Sequence, residues 1–459
     1  MAGRPGSGSK RWLLFLVIIL AIIVFNRPIL AGFQAVVGLV ISPGLQPAAS
    51  LPPTAAPAPT QPPLIEATLA PEPTRYMEAT VGQVYEPITI TIWHGWGEAE
   101  LPAVQTALTA YTADHPNVTF DLQKQADLVN VLPTAVAAGE GPDLVAWWSS
   151  SIGRLAPDVL LPLDEGSLNL ESDFFPAAVR TVKMDGKTWG LPLSQMGMGL
   201  VYNTDLLGED YTLPNNLDML QEAALSYENA HPGKKFFCNP GFSSKDGYYL
   251  APILFSTANV PGYVDAAGNV YVNQAEIVQG ASRLTELAKL SPADSSYDGC
   301  QFAFLDGEIP TWWTGPWSIQ TIEGRGIHFD VIAMGRPFVE TYALMLARSA
   351  EFHNHTAVAL DVMRYLAGAD VQADFTIKNQ SVPASFRALS NPMVSAMKGI
   401  TDFAWALDAG LPLVANRFTD QQWSPVSQAI TGILDGSQSP LEALNNAQMT
   451  IEGNIANIR

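Results

Sequence analysis

Basic residues are scarce in this chain. Lys and Arg number 24 against 44 Asp and Glu, a formal net charge of −20 over 459 residues. A surface that neutralises phosphates needs the opposite balance, so no nucleic-acid partner is expected, and electrostatic docking on anionic lipid is disfavoured. Acidity of this size keeps an exported protein soluble. Cysteine is almost absent. Cys238 and Cys300 are the only two, too few for a multi-bridge framework, and no CxxC metal or redox spacing occurs. In an exported chain they read as one disulfide; the other reading is two buried thiols. The six histidines are scattered. HExxH is missing, and His353 and His355, two apart, would diverge on a helix, so no zinc site is expected. GxSxG and GxxxxGK[ST] are missing too. Gly197-Met198-Gly199 lacks the third glycine and the strand-turn-helix setting of a nucleotide loop. Nothing here calls for a cofactor.

Charged residues make up only 15% of the chain, partly because of its first 86 residues. Trp12–Phe25 is apolar and follows Lys10-Arg11. As a helix it spans about 21 Å, short of a roughly 30 Å bilayer core. After Asn26-Arg27-Pro28 a second apolar stretch, Ile29–Ile41, follows. Residues 1–41 therefore read as an N-terminal signal-anchor with its short tail cytoplasmic, or else as a cleaved signal peptide. Residues 42–86 form a Pro/Ala/Thr-rich linker, with PPTAAPAPTQPP at its centre. Such a tract lacks the large apolar groups needed to fold and extends as a tether. The expected location is the extracytoplasmic face of the cell membrane, or secreted or periplasmic if the signal is cleaved.

Folded sequence begins at Pro87. Ile88, Ile90 and Ile92 alternate with Thr89 and Thr91, the pattern of a strand with one buried face. Leu101, Val104, Leu108 and Tyr111 then mark a helix face, Asn117–Leu122 a strand, Val129–Ala138 a helix and Leu144–Trp147 a third strand. This βαβαβ series predicts an α/β fold with a mostly parallel sheet, whose ligands bind at the carboxyl ends of the strands. Trp93-His94-Gly95-Trp96 and Trp147-Trp148-Ser149 fall at those ends. Later, Thr311–Gln320 carries Trp312, Trp313 and, after Gly315-Pro316, Trp317. It reads as a strand, a tight turn and a helix start, which puts Trp317 on a rim where an indole can stack on the apolar face of a sugar ring. Glu98 and Glu100 are the candidate pair for glycoside hydrolysis, against a plainer reading as solvated acids at a helix N-terminus.

The segments ITIWHGW (90–96), GEGPDL (139–144), GKTWGLPL (186–193), VYNTDLL (201–207), GPW (315–317) and SPLEALNNAQ (439–448) occur in an order that resembles the extracellular solute-binding proteins of sugar ABC transporters, of the maltose-binding type. The resemblance covers about Pro87 to Ile458. It implies a two-lobe periplasmic-binding-protein-like (type II) fold with a hinge, residues 87–195 and 338–389 forming lobe I and 196–337 and 390–459 lobe II. It also implies hinge closure on a ligand held between the lobes, no enzymatic activity, monomeric behaviour and ABC permease subunits as partners. Residue by residue, it places Trp93 and His94, Trp147, Tyr248, Trp317 and Trp423 around a carbohydrate. Trp96, Glu98, Ser149, Gln195 and Met196 complete the candidate site, the polar ones hydrogen-bonding sugar hydroxyls. The chain departs from the pattern where relatives carry charge: Met196 stands in place of an acid, Trp148-Ser149-Ser150-Ser151 in place of charged residues, and Ser427 in place of an arginine. A polyamine binder of the same fold, a tethered glycosidase and a sensor ectodomain are the competing readings.

Overall fold

The structure, a computed structural model, describes residues 86–208, 211–413 and 415–458. The signal-anchor and, apart from Glu86, the linker lie outside them. Val81–Arg459 forms one compact unit, and none of the described helices is long and apolar enough to cross a membrane.

Thirteen strands occur among the described residues: β1 (Ile88–His94), β2 (Val118–Lys124), β3 (Leu144–Trp148), β4 (Lys183–Met184), β5 (Lys187–Thr188), β6 (Leu191–Gly197), β7 (Gly199–Asn203), β8 (Phe237–Cys238), β9 (Thr311–Thr314), β10 (Phe329–Ile332), β11 (Phe338–Leu346), β12 (Val382–Pro383) and β13 (Leu411–Pro412). They build a seven-stranded sheet ordered β12-β6-β11-β3-β1-β2, with β13 paired to β11, and a four-stranded sheet ordered β10-β7-β9-β8. β4 and β5 make a small hairpin. Ile90 and Ile92 are fully buried as the alternation requires.

The expectation of a mostly parallel sheet holds only for β1, β2 and β3. β11 runs antiparallel to both of its long neighbours, β3 and β6. The reason is connectivity. β11 follows β10 of the second sheet, so it enters the first sheet at the end where β6 leaves, and must run against it.

The two sheets meet where β6 passes into β7 through Met198. The glycines on either side are there for close approach. A Cβ on Gly197 would fall 2.5 Å from the Phe338 carbonyl oxygen, and one on Gly199 would fall 2.4 Å from Val331 Cγ1. Neither has a left-handed φ. Helix Lys398–Asp408 fills the junction, with Leu407 against Gly197 and Phe403 against Gly199. Its buried face joins Ile92 and Leu344 of the first sheet to Val201 and Trp312 of the second in one apolar core. The far face of β9 presents Trp313 to a separate core, shared with helices Trp423–Leu434 and Pro440–Ala456. Cys238 at the end of β8 is bridged to Cys300 in helix Tyr297–Leu305.

Candidate functional site

β1 and β3 are parallel, and their carboxyl ends lie beside the starting half of β11: Trp148 pairs with Tyr342, and Met196 of β6 with Glu340. Strand parity decides which side chains at these ends are available. His94 continues the Ile90–Ile92 face and is 1% exposed, under Trp96 with ring centroids 5.0 Å apart. Burial, then the charge of Lys124, pulls its pKa below 6.5. Trp96 is buried in the same core. Trp93 points to the other face and donates its indole N–H to Gln123 Oε1 at 2.8 Å. Trp147 shares that face, partly exposed, with its ring against Gly95; a Cβ on Gly95 would fall 2.3 Å from it. Tyr342, which sequence reasoning did not single out, clamps the two strand ends. Its hydroxyl accepts from Gly95 N at 2.8 Å and donates to the Ala146 carbonyl at 2.7 Å.

Several expected hydrogen-bonding residues have no surface to offer. Ser149 is fully buried, and its Oγ accepts from Thr341 N at 3.2 Å. Gln195 is 3% exposed and donates to the Pro383 carbonyl at 3.1 Å. Glu98 is exposed, whereas Glu100 accepts the Gly97 N–H at 2.7 Å, a local tie at the start of helix Leu101–Asp114.

What the structure does bring together is a cavity of about 400 Å³ lined from both sides of the sheet junction. Ligand pockets run from about 300 to 1,000 Å³. Ser150, one residue past Ser149, and Glu340 come from the first-sheet side; Asp246 and Tyr248 come from the loop after helix Gly241–Ser244; Thr419 and Asp420 come from the 3₁₀ turn Thr419–Gln421, and Trp423 and Ser427 from the start of helix Trp423–Leu434. Trp423 is partly exposed and set edge-on to Phe338, centroids 5.8 Å apart. Tyr248 lies nearly parallel to Phe338 at 6.3 Å. Phe338 opens β11, so one strand supports both aromatics and carries Glu340 two residues on.

Glu340 is the main residue that sequence reasoning missed. Glu340 is the direct cross-strand partner of Met196, so a carboxylate stands beside the position where the resemblance led one to expect an acid. Ser150 N donates to Glu340 Oε1 at 3.2 Å. Burial raises the carboxyl above its usual range, and the bonds from Ser150 offset part of that rise. Burial, then Glu340, raises the Tyr248 hydroxyl pKa. Asp246 accepts from Tyr248 N at 2.8 Å, and Asp420 faces Arg154 at 3.7 Å. Among the described residues, the lining includes three carboxylates and no basic side chain. A signal for Glu340 was present in the sequence: the one charged residue of a mainly apolar strand, Phe338–Leu346, on the parity of Phe338 and Tyr342.

The three tryptophans of Thr311–Gln320 separate. Trp312 and Trp313 are fully buried on opposite faces of β9. Trp317 sits in the short 3₁₀ turn Pro316–Ser318 that leads into helix Ile319–Gly324 and stays partly exposed. Its ring covers Gly315, where a Cβ would fall 2.1 Å away. β8 and β9 are parallel, so the segments leading to Trp317 and, through helix Gly241–Ser244, to Asp246–Tyr248 leave the same end of the second sheet.

His353 and His355 depart most sharply from expectation. They do not diverge on a helix, because Asn354 between them takes a left-handed φ of 60° and separates helices Ser349–Phe352 and Thr356–Leu366. Both rings turn onto Asp143.

The bacterial extracellular solute-binding protein family matches residues 106–401. The chain belongs to that family. Among curated relatives, the maltotriose-binding protein of Pyrococcus abyssi is 25% identical over 77% of this chain and 80% of its own length. The galactooligosaccharide-binding protein of Bacillus subtilis is 22% identical over 77% and 86%. Among solved structures, a cyclo/maltodextrin-binding protein in complex with maltotetraose superposes with a TM-score of 0.69 at 20% identity, over 82% of this chain and 99% of that one. An extracellular solute-binding protein from Staphylococcus aureus in complex with maltose gives 0.70 at 20% identity, over 82% and 100%. These likenesses establish the two-lobe α/β fold of maltose-binding-protein-like solute-binding proteins, and family membership implies an extracytoplasmic location.

Proposed function

We propose that this solute-binding protein captures a sugar or oligosaccharide between its two lobes and delivers it to an ABC permease, tethered to the outer face of the membrane by its N-terminal segment. The observation that carries the reading is the cavity at the sheet junction, where Tyr248 and Trp423 stand beside Glu340, Asp246 and Asp420. Aromatic faces suit the C–H face of a pyranose, and carboxylates accept its hydroxyl protons. The curated relatives are named for maltotriose and galactooligosaccharide, which supports an oligosaccharide. Residues 87–195 with 338–389, and 196–337 with 390–459, act as the closing lobes, with Trp93 and Trp147 extending the first lobe's side and Trp317 the second's.

Three carboxylates without a lining cation also favour a second reading, a solute bearing a protonated amine, such as a polyamine. One screen separates the two. The compact unit Val81–Arg459 is titrated with maltotriose, galactooligosaccharides and spermidine, following melting temperature and tryptophan fluorescence. A ligand of the native state raises the melting temperature by mass action. A rise with a saccharide is the expected result; a rise with spermidine alone replaces the sugar by the amine. Trp317→Ala is expected to weaken saccharide binding about tenfold, roughly 1.4 kcal/mol, with the circular dichroism spectrum unchanged. Unchanged affinity with a lowered melting temperature would make Trp317 a core residue.

A further inference from the structure

Away from the cleft, Asp143, His353 and His355 bring a carboxylate oxygen and two imidazole nitrogens together, all within 4.8 Å of one another. Asp143 directly precedes β3 and is fully buried. Its backbone is fixed on both sides, donating to the Thr91 carbonyl at 2.9 Å and accepting from Ala347 N at 3.0 Å. Oδ2 is held by Thr91 N at 2.9 Å. Oδ1 takes Nδ1 of His353 at 2.8 Å and Nδ1 of His355 at 3.1 Å. The imidazoles are partly exposed, at 29% and 23% of their side-chain surface, so water reaches them. The carboxylate is therefore rigid and dry, while the two imidazole side chains stand at the solvent boundary.

We propose that these three side chains form a binding site for a divalent late transition-metal ion, with zinc(II) the reference ion. Zinc bonds of about 2.0–2.1 Å at tetrahedral angles set neighbouring donor atoms roughly 3.3 Å apart. The two oxygen–nitrogen separations need to open by only a few tenths of an ångström to reach that spacing. One carboxylate and two imidazoles form a donor set that such ions accept. Three protein ligands leave a coordination position for water, and the Thr91 N–H supplies the outer hydrogen bond that orients the carboxylate. Binding requires that no proton sit on Nδ1 of either histidine, so that its lone pair is free for the ion. The ion would tie the start of β3 to the turn between helices Ser349–Phe352 and Thr356–Leu366.

The test uses the full chain stripped with EDTA and then titrated with zinc chloride, or with cobalt(II) chloride as a visible reporter. Expected are one zinc per chain by calorimetry, a melting temperature raised by a few degrees, and cobalt d–d bands of a four-coordinate site. His353→Ala with His355→Ala should weaken zinc binding at least tenfold and abolish the bands. Absence of zinc binding to the wild-type chain, or binding that the double variant leaves unchanged, overturns the proposal; the triad is then a hydrogen-bonded brace only. Should the double variant fail to fold, side-chain nitrogen NMR of the wild-type chain decides. Zinc must shift the Nδ1 resonances of two histidines, and unshifted Nδ1 signals would overturn the site.

Discussion

Replacing Trp423 by alanine is expected to weaken binding of the saccharide identified by the screen by about 30-fold or more, in line with the roughly 2 kcal/mol lost when a central aromatic anchor is removed. Trp423 lines the cavity and stands edge-on to Phe338 and Tyr263. Truncation therefore removes a stacking surface and also opens space beside two core aromatics. Trp423→Phe separates the effects, since it keeps an aromatic against Phe338 and shortens only the stacking platform. Alanine with low affinity and phenylalanine with intermediate affinity support stacking. Two variants with native affinity would remove Trp423 from the site. Glu340→Gln is the companion, keeping shape while removing charge. It should cost a hydroxylated ligand a hydrogen bond, and an amine ligand nearly all binding. The sign of the pH effect follows from the raised Glu340 carboxyl. A ligand whose protons bond the carboxylate binds the ionised form better, so affinity falls as pH drops through that raised value and holds above it. Glu340→Gln should flatten this dependence, which calorimetry across the acidic range measures.

Removing the disulfide should have the largest effect on stability. Cys238 and Cys300 are both fully buried and close a loop with a sequence separation of 62. Loop-closure entropy of the unfolded chain assigns such a bridge about 4 kcal/mol. For a unit of this size that corresponds to a melting temperature lower by roughly 5 °C. The bridge ties β8, a short edge strand, to helix Tyr297–Leu305, whose Phe304 and Tyr297 pack on Trp312. Cys238→Ala with Cys300→Ala, and separately the reduced wild-type protein, should both melt earlier by differential scanning calorimetry. Both melting like the oxidised protein would show that the bridge adds nothing beyond the packing around it.

Local pattern alone placed many elements correctly. The alternation of Ile88, Ile90 and Ile92 marked β1, and Gly315-Pro316 marked the break between β9 and the helix after it. Period and turn chemistry are properties of neighbouring residues, so they are legible without a fold. Even the burial of His94 was written there, since it shares the parity of Ile90 and Ile92. The mostly parallel sheet was misread because β11 reverses direction on re-entering from the second sheet, and that depends on connectivity between distant segments.

The cleft and the histidine cluster show the same division. Glu340 faces the cavity because β11 pairs with β6, and the two strands are far apart in the chain. Asp143 meets His353 and His355 because a left-handed residue turns the chain between two helices. By itself the sequence determined the family, the α/β class and the alternating strands, all of which follow from local pattern and motif order. Only the tertiary structure decided which aromatics stay exposed, which acids reach the cleft and which histidines share a carboxylate. Those outcomes depend on strand register and on packing between residues remote in the chain, which no local pattern carries.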